Sequence, residues 1–385
     1  MYLVFYNNEL VYDPRGANCA EPGDPTYAIE EGALELAVDA AGQLTMTLAA
    51  GNPMIDKLQV RLGTVKVVEL LGSTSTTVFL GRVIRDKLNF DGSHSYECEG
   101  RLACLNDTAM APYVFPDAYV DDPAYQTALA NNTVPAYWLG KLLELHNGMA
   151  WNTNNQIQPG TVTVTGGAMY RADEDWSTMW NVLRDDLPGS SLGGHLVMRY
   201  VGDTAYLDYL ADFTDENAQA VTFGQNLIDL ARTHYAADYF NAVIPIGKDG
   251  LTCSAAPNGY YGDGRYYKSG AYVVTPSERD AGYGNVVRVV EWNEIKTAAG
   301  LVDKAVSYLN AVTFLDEVEI SAADLSGVDG TTPPFRLARL LNIDDPPQGI
   351  RTAYAIVGLG IDILGDVTTK LTLGARGASL TSLNK

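Results

Sequence analysis

Basic residues are scarce in this chain. Over 385 residues, 26 lysines and arginines stand against 47 aspartates and glutamates, a net charge of −21. A tightly held duplex needs a basic face to neutralise phosphates, so nucleic acid is a poor stable ligand. The same repulsion acts against an anionic membrane surface. Cysteine is rarer still, with Cys19, Cys98, Cys104 and Cys253 only. No Cys-x-x-Cys pair exists, and the spacing fits no zinc site. Cys98 and Cys104 read as two small buried side chains, or as neighbours in space. The four histidines are His94, His146, His195 and His234. None lies in His-Glu-x-x-His, and each reads as a satisfied or exposed residue rather than a ligand. No run approaches 18 apolar residues, so no membrane span is expected. The opening Met1-Tyr-Leu-Val-Phe-Tyr6 runs at once into Asn7, Asn8 and Glu9, unlike a signal peptide.

Catalytic signatures are missing as well. There is no Gly-x-Ser-x-Gly elbow and no Walker loop. Gly262-Asp-Gly264 and Gly358-Leu-Gly360 lack a third glycine and read as turns or bulges. Carboxylates are so numerous that any pair of them carries no glycosidase signal. Asp173-Glu-Asp175 and Asp121-Asp122 lack the spacing of a calcium loop and read as solvated acids. No catalytic, cofactor-binding or metal-ligating residue is therefore nominated.

What is present points to strands. The hydrophobic fraction of 46% is ample for real cores, and the length allows about two to four domains. Twenty-three tyrosines, with 37 glycines and 17 prolines, suit strands joined by turns. Leu34, Leu36 and Val38 alternate with polar or small residues. After the turn 39–42, Leu44, Met46 and Leu48 do the same, which predicts a hairpin. Val60, Leu62, Val65, Val67 and Leu70 continue the pattern. Thr77–Ile84 and Tyr96–Leu105 predict two more strands. Ala111–Pro116 reads as a loop with exposed aromatics. Helices are predicted over 135–146, 175–186 and 298–312. In the second, Trp176, Met179, Trp180 and Leu183 share an apolar stripe, with Asp173–Asp175 at its amino end. Trp176 and Trp180 are thus expected in the core. Short strands are predicted at 160–165, 220–224 and 242–246. The segments 195–201 and 204–210 predict a hairpin, 251–300 reads as irregular, and strands return over 314–380.

Several segments, taken in order, resemble the tail-tip hub proteins of long-tailed bacteriophages and prophages, the hub region of tail-associated lysins and prophage tail endopeptidases. They are Asn52-Pro-Met-Ile-Asp-Lys-Leu58, Thr77-Val-Phe-Leu-Gly-Arg-Val83 and Tyr96-Glu-Cys-Glu-Gly-Arg-Leu-Ala-Cys-Leu-Asn-Asp107. Phe223-Gly-Gln-Asn-Leu-Ile-Asp229, Val243-Ile-Pro-Ile-Gly247, Tyr283-Gly to Val290-Glu291, and Leu371-Thr-Leu-Gly374 with Ser379-Leu-Thr381 complete the series. The resemblance extends over about 34–381, almost the whole chain.

The resemblance implies a mainly β fold with α+β insertions: two related antiparallel β-barrel domains and two smaller connecting domains. On this reading, 1–105 is the first barrel and 106–190 a mixed α/β connection. Residues 191–250 and 298–385 form the second barrel, and 251–297 an irregular Gly/Tyr-rich insertion. It also implies three copies in a ring at the virion tail tip, assembled in the host bacterial cytoplasm. The ring would join the tail tube and distal tail protein to the tip and form part of the DNA exit channel. Implied partners are the distal tail protein, the tape-measure protein, and receptor-binding or fibre proteins. DNA would pass without specific binding, and an acidic bore would repel it. The chain stops at Lys385, straight after the closing strand, which leaves no room for a lysin module, so no enzymatic activity is expected. Two alternatives are a cell-wall-degrading endopeptidase and a carbohydrate-binding adhesin. The aromatics of 113–125 and 258–272 suit either glycan contact or packing between subunits. Arg82 and Arg101 either pair with acids across an interface or are simply exposed.

Overall fold

The computed structural model describes residues 1–14, 27–149, 153–190, 192–235, 240–262, 264–278, 282, 284–292, 295–310, 315–329, 331–365 and 367–374. Cys19, Tyr283, the Ser379–Thr381 step and the His234 side chain lie outside this description. The chain divides into two compact units. One comprises 1–232 and 318–377, and the other is built mainly from 233–317.

The first unit begins with seven strands: β1 (Tyr2–Tyr6), β2 (Glu9–Tyr12), β3 (Ile29–Ala37), β4 (Gln43–Leu48), β5 (Val65–Leu71), β6 (Thr74–Leu88) and β7 (His94–Gly100). The expected 34–48 hairpin is present as β3–β4, in a register that sets Leu34 against Leu44. Leu34, Leu44, Val67, Phe79, Tyr96 and Cys98 fill one core beneath these strands. Val60 and Leu62 do not extend the pattern; both are exposed. Arg61 and Gly63 take left-handed backbone there, which no strand tolerates, so β5 starts only at Val65. Strand β7 also stops early, at Gly100. Arg101–Asp107 winds into a 3-10 helix instead.

The middle of this unit carries β8 (Ala109–Met110), β9 (Tyr113–Phe115), α1 (Pro123–Ala130), α2 (Val134–Met149), β10 (Gln158–Val162), β11 (Arg171–Asp173), β12 (Ser177–Thr178), α3 (Met179–Asp186), β13 (His195–Val201) and β14 (Thr204–Leu210). Two expectations fail here. Ala111–Pro116 is no exposed loop, since Tyr113–Phe115 pairs with β11 and Phe115 is fully buried. Helix α3 starts four residues late because Ser177–Thr178 stays extended against β8, and Thr178 then caps the helix through Asn181 N. Trp176 is thereby stranded outside the helix and is 71% exposed, while Trp180 is half-buried against the core. Asp173 serves a turn instead of a helix dipole, accepting from Ser177 Oγ at 2.6 Å and Asp175 N at 3.0 Å. The β13–β14 hairpin forms as expected. Strand β10 pairs parallel to β14. Leu196, Leu207 and Tyr209 of the hairpin share a core with Trp138, Leu142 and Leu183, so it packs with the middle segment.

Strands β15 (Val221–Thr222) and β16 (Leu227–Tyr235) lead into the second unit. That unit holds β17 (Ala242–Gly247), β18 (Gly259–Tyr261), β19 (Tyr266–Ser269), β20 (Tyr272–Val274) and β21 (Val287–Trp292), in the sheet order β18-β19-β20-β17-β21. The stretch expected to be irregular therefore supplies four of these five strands. Its two tight turns contain Gly262 and Gly270, both with positive φ, and short antiparallel ladders follow from them. The helix Ala298–Asn310 lays Leu301, Val302, Ala305 and Leu309 on Val243, Tyr266 and Val273. Residues on both sides of the expected boundaries at 250 and 297 thus share one core.

The chain then returns through β22 (Leu315–Ala323), β23 (Leu340–Asp345), β24 (Ile350–Asp362) and β25 (Thr368–Gly374). These pack Val318, Ile320, Leu341, Ile356 and Leu371 into a further core. Strand β24 pairs antiparallel with β3, Leu359 opposite Leu36. That ladder joins the opening and closing groups of strands in a 13-stranded sheet, ordered β16-β22-β25-β24-β3-β4-β7-β6-β5-β1-β2 with β15 and β23 off the main path. The mainly β class with α+β insertions is the class observed.

Candidate functional site

The most concentrated chemistry of the first unit sits where β6, β7 and the 3-10 turn meet. Arg82 and Glu99 are cross-strand partners, and Arg82 Nε donates to Glu99 Oε1 at 2.7 Å. Its NH1 donates to Asp107 Oδ2. Arg61 NH1 donates to the other oxygen, Asp107 Oδ1, at 3.1 Å. Burial would raise the Asp107 pKa, but Arg82 and Arg61 hold it below the usual carboxylate range. Burial likewise works against the Arg82 charge, and Asp107 and Glu99 outweigh it. Arg101 follows β7 directly and retains 5% of its surface. Its Nε is buried without a hydrogen-bond partner. Burial depresses its basicity, and the neighbouring Arg82 charge adds to that. Neither arginine is simply exposed, and Arg82 pairs within its own chain.

A second polar cluster lies under α2 and α3. Asp186 Oδ2 accepts from Trp138 Nε1 at 2.7 Å and from the Tyr113 hydroxyl at 2.8 Å. Burial raises the Asp186 pKa, against the pull of these two bonds. Phe115 packs on Trp138 with ring centroids 4.3 Å apart, and Tyr125 meets Phe115 edge-on at 5.6 Å. The aromatics of 113–125 thus pack within their own chain and present no exposed platform. In the Gly/Tyr-rich stretch, Tyr266 is buried, while Tyr260 is 67% exposed and meets Tyr267 edge-on at 5.0 Å.

The remaining candidates hold the fold. His146 is buried, with Nδ1 2.8 Å from Thr108 Oγ and Nε2 3.1 Å from the Asn155 carbonyl. Burial lowers its pKa, so it stays neutral. His195 faces Asp39 at 3.3 Å and stacks on Phe213. His94 faces Asp86 at 2.8 Å. Asp122 caps α1 through Ala124 N and accepts the Tyr137 hydroxyl at 2.7 Å. Cys98, Cys104 and Cys253 are free and buried. Among the described residues, no three His, Cys, Asp or Glu side chains converge to hold a metal ion. No helix among them is long and apolar enough to cross a membrane. An open groove of about 330 Å³ is lined by Asn342, Ile343, Asp344, Arg351 and Thr352. The Arg351–Asp344 ion pair lies in it.

Three features escaped the sequence reading. Glu69 on β5 is buried, accepts the Tyr2 hydroxyl at 3.1 Å and pairs with Arg336 from the far end of the chain. Lys268 is fully buried. Phe90 stands fully exposed at the β6–β7 tip. Only the last carries a sequence signal, since Asn89-Phe-Asp-Gly-Ser93 is a turn with no room to bury its aromatic ring.

No family model matches this sequence, and no curated protein matches it. Solved structures do. The 43 kDa tail protein of prophage MuSo2 from Shewanella oneidensis superposes with a TM-score of 0.59 at 11% identity, covering 98% of this chain and 99% of that one. A tail protein from Neisseria meningitidis MC58 gives 0.57 at 11% identity, covering 98% of each chain. From end to end, this chain carries the fold of prophage tail proteins.

Proposed function

We propose that this protein is a structural tail-tip hub of a phage or prophage tail, working as a ring of three copies. The observation that carries the reading is the end-to-end likeness to two prophage tail proteins, with no large segment left over on either side. The polar clusters agree with it. Arg82, Asp107, Asp186 and His146 are each spent on holding the fold, which suits a scaffold rather than a catalyst.

In this role the ring joins the tail tube and distal tail protein to the tip, beside the tape-measure end and the receptor-binding or fibre proteins. Its site of action is the virion tail tip, reached by assembly in the bacterial cytoplasm. The net charge of −21 would line the exit channel with acid and keep passing DNA from adhering. On this proposal the two barrel domains would draw on β1–β7 and on β15, β16 and β22–β25, strand sets that the β3–β24 ladder joins.

Light scattering with particle images of the same sample tests the reading. The expected mass is three times 41.5 kDa, as a ring, alone or with the distal tail partner. A chain that stays monomeric in both conditions overturns it. So does a purified chain that clears peptidoglycan and loses this activity on mutation of one acid or histidine.

A further inference from the structure

We propose that Arg101 is an interface anchor that receives a carboxylate from a neighbouring copy of this chain. The proposal rests on the ring described above and names a residue that the ring would use. Arg101 is as buried as Arg82, yet the two differ in partners. Arg82 holds Glu99 and Asp107, and Lys268, fully buried, holds three oxygens. The Arg101 Nε is buried and holds none. A buried guanidinium nitrogen without an acceptor is costly, and native folds rarely leave one.

Among the described residues, the carboxylates nearest this place already have partners. Glu99 and Asp107 are the nearby acids, and Arg82 and Arg61 occupy them. The other near groups are the Cys104 thiol and the Tyr200 phenol. Burial raises both pKa values, that of Tyr200 to about 12, so both are neutral at pH 7. The Arg82 cation adds repulsion. With none free among the described residues, the acceptor is drawn from outside, against the 5% of surface that Arg101 keeps. A second copy is the occupant the charge favours, because acids exceed bases by 21 in every copy. In a ring, the patch that meets Arg101 is a different patch of the neighbour, so the carboxylate need not lie near Arg101 in its own chain.

The test compares wild type with Arg101→Met and Arg101→Lys. Thermal unfolding is measured on dilute monomer, and association by light scattering across concentration. Arg101→Met is expected to melt at or above the wild-type temperature as a monomer, and to associate at least tenfold more weakly. Arg101→Lys keeps the charge but loses the fork, and is expected to fall between the two; it also serves should the methionine variant fail to fold. A methionine variant that melts lower and associates normally shows an arginine satisfied inside the fold, and ends the proposal. Normal association of both variants within a wild-type trimer ends it while leaving the ring intact. A wild type that never associates, even with the distal tail partner, removes the ring and the anchor together. Inorganic phosphate that raises the melting point of wild type alone, with association unchanged, assigns Arg101 to a free anion and also overturns the proposal.

Discussion

Gly81 on β6 lies directly opposite Gly100 on β7, and the ring of Phe79 covers the pair. A Cβ on Gly100 would fall 1.7 Å from the Ala41 carbonyl oxygen. One on Gly81 would fall 2.3 Å from the Glu99 carbonyl oxygen and 2.6 Å from the Phe79 ring. Backbone atoms cannot rotate away, so the strands would have to part. The two Gly-Arg steps are therefore one structural device: paired glycines let β6, β7 and the 39–42 turn close up, and each is followed by a buried arginine.

Replacing either glycine by alanine is expected to cost at least about 1–3 kcal/mol, as overpacking does. Gly100→Ala should be the worse, because its backbone clash is the shorter. Urea unfolding checks this. A midpoint equal to wild type in both variants would show that the strands have slack the geometry does not give them.

The two tryptophans at 138 and 176 make a sharper contrast. Trp138 is fully enclosed by Phe115, Tyr113 and Asp186, whereas Trp176 is largely in water. Trp138→Ala is expected to cost about 3–5 kcal/mol, the usual loss for emptying a large core site. Trp176→Ala should stay within about 0.5 kcal/mol of wild type. Equal losses in thermal melts would restore Trp176 to the core, where its helical spacing had placed it.

Asp186 supplies a pH dependence of known sign. Burial raises its folded pKa above the ordinary 3.8, so the folded state binds the proton more tightly than the unfolded state does. The stability it contributes is complete below the ordinary value and is lost as pH rises through the raised one. Asp186→Asn keeps an acceptor for Trp138 and Tyr113 but cannot ionise. Wild type should therefore gain on the variant as pH falls from 7 toward about 4, with the difference levelling off below. Paired denaturant titrations at several pH values measure this. A gap that is flat, or that moves against wild type, contradicts the assignment.

Much of the β architecture was legible in the sequence, because alternation is a local property. The 34–48 and 195–210 hairpins, the 77–84 strand and the return strands from 354 and 368 all follow from residues two apart. The failures occur where a distant partner decides. Ser177–Thr178 has helical neighbours but pairs with β8, some 70 positions earlier, and this displaces Trp176. Phe115 lies among prolines and tyrosines that read as a loop, yet β11 and Trp138 enclose it. Several family-like steps proved to be structural stitches. Asn52 donates to the Val11 and Ala28 carbonyls, and Asn226 closes the β15–β16 turn beside Gly224 through Thr222 N and the Ala220 carbonyl. Arg101 could be read as a residue but not as an unpaired one. That depends on Arg82 having already taken Glu99 and Asp107, which no local pattern encodes.

Lys268 raises a final expectation. Its ammonium donates to the Asn258 side-chain oxygen at 3.0 Å, to the Ser254 carbonyl at 3.3 Å, and to the Ala256 carbonyl. Asn258 also receives Gly270 N at 3.1 Å, so one cation gathers the 254–258 loop onto the β19–β20 turn. Lys268→Met preserves length and apolar bulk but leaves these acceptors without their donor. Against that loss stands the relief of a buried charge. Three oxygens share the ammonium, so the loss should prevail, at about 1–3 kcal/mol. Hydrogen exchange locates the effect as well as its size. Amides of 253–274 should exchange faster in the variant, and those of β3–β7 should not change. Unaltered exchange over 253–274 would mean that the short β18–β20 ladders hold this loop without the lysine.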